Sequence, residues 1–278
     1  MVTLLGAADI RELATRLDVT PTKKLGQNFV TDPNTIRRIV SAAKLGEGES
    51  VVEIGPGLGS LTLGLLEVAA SVVSVEIDTK MAAALEQTIA ERAPGKAFTL
   101  VTADALAIDS LPQSPTALVA NLPYNISVPV LLHFLETFGS IQKGLVLVQA
   151  EVAHRLAAQP GSKVYGAPSV KLAWYATSNL AGNVSRSIFW PVPNVDSALV
   201  FFERYAHPLG DEALRKRVFA VIDGAFGQRR KTLRQALAEW AGSAANAEQI
   251  LTKAGVSPQS RGEQLGIEEF IAIARANV

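Results

Sequence analysis

Asn121-Leu122-Pro123-Tyr124 is a stretch suited to holding an amino group attached to an aromatic ring. The lone pair of an exocyclic amine such as N6 of adenine is delocalised into its ring, which makes the nitrogen a poor nucleophile. Two acceptors on its hydrogens pull it towards a tetrahedral, localised geometry. The side-chain oxygen of Asn121 and a backbone carbonyl at Leu122 or Pro123 can supply them. Proline fixes φ and brings no N–H, so the turn is stiff and its carbonyls keep their aim, while Tyr124 offers a flat face for a base. Upstream, Glu53-Ile54-Gly55-Pro56-Gly57-Leu58-Gly59 reads as a cradle for a methyl donor. Taken alone, the tetrapeptide reads equally well as a strand end followed by a proline turn with a packed tyrosine.

The elements that must position these residues alternate between strand and helix. Apolar runs at Val51–Ile54, Val72–Ile77, Phe98–Thr102, Ala117–Ala120 and Leu145–Gln149 are separated by helical patterns at Leu61–Ala69, Met81–Arg92 and Pro129–Phe138. Such alternation predicts a parallel sheet covered by helices on both faces. Runs at Val170–Ala176 and Val195–Phe202 are candidates to complete the sheet, with an antiparallel edge. Ahead of it, Ile10, Leu13, Ala14 and Leu17 mark a helix, Thr20–Lys24 a linker, and Asp32-Pro33 the capped start of another helix with Ile36, Ile39 and Val40 on its apolar face. Beyond residue 205 only helical patterns remain: Leu214 to Phe226, Leu233 to Trp240, Ile250-Leu251 and Phe270–Ile273, with Gly242 and Gly255 as stops. The reading is therefore α/β, a Rossmann-like sheet over residues 1–204 with a small all-α domain over 205–278.

The three glycines follow a strand and precede a helix, the place where an open α/β sheet binds its ligand. Their spacing is G-x-G-x-G, not the G-x-G-x-x-G that seats a pyrophosphate, so a ligand without phosphates is favoured. Glu76 ends the second strand 21 residues after Gly55, where a carboxylate accepts from ribose hydroxyls. Asp104, at the end of the third strand, can accept from the adenine amino group of the same cofactor. Glycines, a ribose acid and an adenine acid occur in the order that S-adenosylmethionine requires.

Composition narrows the class. The 278 residues are 48% hydrophobic, enough for a large core, and contain no cysteine, which removes disulfides and thiolate chemistry. The three histidines have no paired spacing, and no metal is expected. Charged residues at Asp9, Arg11, Glu12 and Arg16 would interrupt the apolar core of a signal peptide, and no run approaches the ~18 apolar residues of a membrane span. A soluble, cytoplasmic, monomeric protein is the expectation. Net charge is zero, but residues 11–44 hold seven Lys/Arg against three Asp/Glu, residues 45–120 three against ten, and residues 204–234 eight against three. Basic flanks around an acidic middle suit a polyanionic partner, although solvated helix faces produce the same pattern.

These stretches together resemble the ribosomal RNA adenine N6,N6-dimethyltransferases. The resemblance rests on Gly26-Gln27-Asn28-Phe29, Glu53 to Thr62, Asn121 to Tyr124, Phe189 to Ser197 and Phe226-Gly227-Gln228-Arg229-Arg230-Lys231, in family order from about residue 20 onward. It implies a class I S-adenosylmethionine-dependent methyltransferase fold acting on two adjacent adenosines near the 3′ end of 16S rRNA in the small ribosomal subunit. It further implies that Asn28, Val30, Gly55, Glu76, Asp104 and Asn121 contact the cofactor. Asn121, Leu122, Pro123 and Tyr124 would handle the target base, Phe189 would stack on its other face, and Arg229, Arg230, Lys231 and Arg234 would contact phosphate. Val30 stands where the family usually has leucine, and Arg261-Gly262-Glu263 departs from the usual Arg-Pro-Glu or Arg-Ala-Glu. Two other functions fit some of the same residues. One is a subunit-assembly factor for which methylation is secondary. The other is a DNA adenine or protein glutamine methyltransferase, against which Leu122 and the stretch from Phe189 argue.

Overall fold

The computed structural model describes residues 1–17 and 28–277. Gly26, Gln27 and the linker expected at residues 20–24 lie outside them. The chain divides into two compact units, residues 1–153 with 180–204, and residues 154–179 with 205–278.

In the first unit, α1 (Ala7–Arg16), β1 (Phe29–Val30) and α2 (Pro33–Ala42) precede the sheet. The Asp32 carboxylate accepts from the Thr35 backbone N–H and so caps α2, whose apolar face is buried at Ile36, Ile39 and Val40. Next come β2 (Ser50–Ile54), α3 (Ser60–Val68), β3 (Ser71–Glu76), α4 (Thr79–Arg92), β4 (Phe98–Thr102), β5 (Ala117–Asn121), α5 (Ser127–Thr137), β6 (Lys143–Gln149) and α6 (Ala150–Leu156). After α7 (Ala167–Ala173), which belongs to the second unit, follow β7 (Ala176–Val184), β8 (Phe189–Trp190) and β9 (Ser197–Arg204). Among the described residues the sheet order is β4-β3-β2-β5-β6-β9-β7. The first five strands run parallel and β9 runs antiparallel to β6. Side chains at Val51, Val52, Val72, Val73, Leu118 and Val119 are wholly buried, as a parallel strand covered on both faces requires.

The topology decides where a ligand can sit. The chain steps outward from β2 through β3 to β4 and then returns to β2's other side as β5, with Val51 opposite Ala117. This reversal opens a crevice beyond the carboxyl ends of β2 and β5. The glycine loop follows β2 and the tetrapeptide ends β5, so two motifs more than sixty residues apart meet at that crevice.

Two expectations are corrected. Val170–Ala176 is not a strand: α7 begins after the Gly166 N-cap with Pro168 in its first turn, and the strand starts only at Ala176. The antiparallel strand from the Val195–Phe202 run begins at Ser197 and lies inside the sheet, with β7 as the edge.

The second unit is helical but is not made of residues 205–278 alone, since residues 154–179 belong to it. It comprises α7, α8 (Glu212–Gly227), α9 (Leu233–Ala236), α10 (Ala244–Lys253) and α11 (Ile267–Ala276). Val218, Val221, Ile222, Leu237, Leu251, Phe270 and Ile273 form its core. Tyr165 ties the early segment in by donating its hydroxyl to the Leu265 carbonyl at 2.8 Å.

Candidate active site

A cavity of about 290 Å³ lies at the crevice in the first unit. Its walls include Asn28, Val30, Gly55, Gly57, Ser60, Glu76, Asp104 and the whole tetrapeptide. All six expected cofactor residues and four of the five expected catalytic residues therefore share one wall system.

One end is made by the glycine loop and the acids. Gly57 has φ +56, and a Cβ there would lie 2.8 Å from the Phe29 ring. Gly59, at φ +92, caps α3, where a Cβ would come within 2.7 Å of Leu85. A side chain at either position meets strain and collision together. Glycine at these two positions lets the loop pack against Phe29 and Leu85, and Gly55, Pro56 and Gly57 line the cavity. Ser60, the first residue of α3, is buried there, and its hydroxyl has no hydrogen-bond partner in the protein.

Glu76 ends β3 and is buried. Its carboxylate accepts from Gly57 N–H at 3.3 Å and Asp78 N–H at 3.0 Å, so the acid also braces the glycine loop. Burial pushes its pKa above the usual carboxylate range, against the pull of those N–H groups. Asp104 is exposed, with Oδ1 accepting from Leu106 N–H at 2.9 Å. Glu53 lies deeper in the wall, 1% exposed, and its Oε2 accepts from the Thr62 hydroxyl at 2.6 Å and the Ser74 hydroxyl at 2.9 Å. Desolvation pushes its pKa to about 7 despite those two donors.

The other end is the tetrapeptide. Leu122 N–H donates to the Leu147 carbonyl at 3.0 Å, extending the β5–β6 pairing one residue past the strand. Asn121 donates its amide nitrogen to the Asn28 carbonyl at 3.0 Å, which turns Oδ1 away from that bond and leaves it as the group's acceptor. Pro123 accepts from Ile126 N–H at 3.2 Å as the chain turns into α5. Tyr124 is half-buried, and its hydroxyl lies 2.8 Å from that of Ser197.

Phe189 is placed differently. It is 2% exposed, pairs with Val30 in the β1–β8 ribbon, and is not among the residues lining the cavity. Its neighbour Trp190 stacks on Phe29 with ring centres 6.3 Å apart. The basic run belongs to the second unit. There Arg229 pairs with Glu263 at 2.9 Å and donates to the Lys163 carbonyl, and Arg234 pairs with Glu248 at 2.7 Å, while Arg230 and Lys231 are exposed.

The sequence pattern of the family described as ribosomal RNA adenine dimethylase matches residues 20–276. The chain belongs to that family. It is 61% identical over 273 residues to a ribosomal RNA small subunit methyltransferase A from Leifsonia xyli subsp. xyli, covering 98% of each chain. Among solved structures it is similar to the 23S rRNA methyltransferase ErmE, with 27% identity, a TM-score of 0.67, and coverage of 89% of this chain and 98% of that one. A dimethyladenosine transferase from Plasmodium falciparum has the same fold, with a TM-score of 0.74 at 22% identity over 88% of this chain and 95% of that one.

As a ribosomal RNA adenine dimethylase, the protein is an enzyme that uses S-adenosylmethionine, and the cavity fits that cofactor. Gly55 and Gly57 line it, the Ser60 hydroxyl is a buried polar atom without a partner among the described residues, and Glu76 supplies a buried acceptor. Sequence reasoning missed Ser60, although its place directly after the third glycine was a usable signal. It also missed the Asn28 carbonyl, which no local pattern marks, and the role of Ser197, the last residue of the stretch from Phe189.

Proposed function

We propose that the enzyme methylates N6 of two adjacent adenosines near the 3′ end of 16S rRNA in the small ribosomal subunit, giving N6,N6-dimethyladenosine. The observation that carries this reading is the Asn121 amide, held through its nitrogen with its oxygen left as acceptor, beside an aromatic face at the crevice.

When bound, S-adenosylmethionine supplies a methyl already activated on a sulfonium. The chain's task is then alignment, which can contribute about 7–11 kcal/mol towards the barrier. Glu76 accepts from ribose hydroxyls, Asp104 from the adenine amino group, and Asn28, Val30 and Gly55 border the cofactor. Asn121 Oδ1 takes one N–H of the target amine. A backbone carbonyl at Leu122 or Pro123 takes the other. Both contacts strengthen as the nitrogen becomes tetrahedral, and so they raise the rate rather than the affinity. Tyr124 stacks on the base, worth roughly 1–3 kcal/mol towards extruding it from its neighbours. A stacking role for Phe189 would require its ring to leave the β1–β8 packing; in its present place it supports Val30 and the ribbon.

The first unit thus carries the transfer, and the helical unit contacts RNA through Arg230 and Lys231, with Arg229 and Arg234 exchanging carboxylate partners for phosphate. The enzyme acts as a monomer in the cytoplasm, where small subunits are built. Among the described residues no helix is long and apolar enough to cross a membrane.

Incubation with labelled S-adenosylmethionine and unmethylated small subunits, followed by nucleoside analysis, tests the reading. Label is expected in N6,N6-dimethyladenosine at two neighbouring positions. Label in large-subunit RNA, DNA or protein alone would overturn it.

A further inference from the structure

We propose that Ser197 is a positioning residue for methyl transfer, holding the Tyr124 hydroxyl and with it the ring against which the base stacks. The inference rests on the proposed handling of the base by Tyr124.

Ser197 opens β9, is fully buried, and lies opposite Gln149 in the antiparallel register with β6. The chain just before it is also fixed, because the Asp196 carbonyl accepts from Ala150 N–H at 3.0 Å. The serine hydroxyl is therefore held by the rigid middle of the sheet. It reaches across 73 residues of sequence to the Tyr124 hydroxyl at 2.8 Å.

The tyrosine oxygen lies on the axis of its ring, so a partner there fixes the tip and selects one swing of the side chain among its staggered wells. A phenolic O–H also prefers the ring plane, so the same partner biases rotation about the axis. The Leu122 N–H is tied to the Leu147 carbonyl and the Asn121 side chain to the Asn28 carbonyl, which fixes the backbone at Leu122 and the amide of Asn121 but not the ring. Ser197 supplies that missing constraint. Without it, a half-buried hydroxyl would seek water and carry the ring with it. The stretch from Phe189 to Ser197 then reaches the base through its last residue, by way of Tyr124, rather than through Phe189.

The test compares wild type, Ser197→Ala, Ser197→Thr, Tyr124→Phe and the Ala/Phe double variant in single-turnover transfer from S-adenosylmethionine to unmethylated small subunits. Ser197→Ala and Tyr124→Phe are each expected to slow transfer about tenfold, with the KM for S-adenosylmethionine unchanged. The double variant is expected to match the single ones, and Ser197→Thr to restore the rate. In parallel, the protein is labelled with 13C at tyrosine Cζ, and the resonance lost in Tyr124→Phe is followed without RNA. It should shift in Ser197→Ala and return in Ser197→Thr.

An unshifted resonance in Ser197→Ala would overturn the proposal. So would a loss of rate that persists undiminished in the Tyr124→Phe background, since that would mark a general structural role. If wild type fails to methylate the particles, the substrate reading fails, while the resonance still decides whether Ser197 holds the ring.

Discussion

The cavity and the basic run of the second unit differ in how their residues are held. In the cavity, side chains from four strand ends converge, and each of the decisive groups is oriented by backbone: Glu76 by Gly57 and Asp78, Asn121 by Asn28. In the basic run, two of four cations are engaged by carboxylates within their own unit, and the other two stand in solvent. A converged site has preorganised geometry to lose, and its variants should show steep, specific defects. A dispersed run contributes charge, and its variants should show shallow, additive ones. Chemistry that depends on sub-ångström alignment belongs in the first setting, and recognition of a repeating anion tolerates the second.

The largest effect that would sharpen this contrast is at Asn121. Asn121→Ala should lower turnover about 10²–10³-fold, the range for removing one preorganised transition-state contact, with little change in cofactor affinity. An equal loss of affinity for S-adenosylmethionine would show that the two ends of the cavity are not separable.

Next is Glu53, whose folded pKa of about 7 lies above the ordinary carboxylate value of 4.5. A raised carboxylate pKa favours the folded state while the group is protonated, so its contribution is complete below pH 4.5 and is lost as pH rises through 7. The loss is at most about 3 kcal/mol. Glu53→Gln should therefore gain melting temperature relative to wild type between pH 5 and pH 8. A constant difference across that range would mean that Glu53 is not held protonated.

Glu76→Ala should weaken cofactor binding by about 10–100-fold, the equivalent of one charge-assisted pair of contacts, with the rate at saturating cofactor largely retained. Calorimetric titration with S-adenosylmethionine separates this from the Asn121 defect. The smallest effects are expected in the basic run: Arg230→Ala and Lys231→Ala should each reduce the salt slope of RNA affinity by about one. Arg229→Ala and Arg234→Ala should change it less, because removing either also releases a carboxylate. Four equal slopes would break the distinction between engaged and free cations.

Much of this architecture was legible because its causes are local. Apolar runs of four to six residues, glycines at fixed spacing and the Asp32-Pro33 cap each signal their structure within one turn or one strand. The run at Val170–Ala176 misled because Val-Lys-Leu-Ala-Trp-Tyr-Ala is apolar enough for a buried strand, whereas the deciding signal, Gly166 with Pro168, lies upstream. The resemblance implies that Phe189 stacks on the base, but a motif names a residue type without saying which way the pleat turns it. In the structure it is buried in the core, while Phe29 and Tyr124 are aromatic residues on the cavity wall. Contacts such as Tyr124 with Ser197 or Arg229 with Glu263 join positions 73 and 34 residues apart. Nothing in either neighbourhood announces the other.

The close approach of Phe29 to Gly57 has a consequence for how the two substrates communicate. The Phe29 ring rests against the bare glycine, and the carbonyl one residue earlier holds the Asn121 amide. A single short lever thus runs from the loop that borders the methyl donor to the oxygen that receives the amine. If a ligand that settles the loop also settles that oxygen, then by reciprocity a base seated on Asn121 would stiffen the loop in return. Donor and acceptor would then each favour the arrival of the other, and the pair would be held more readily than either alone.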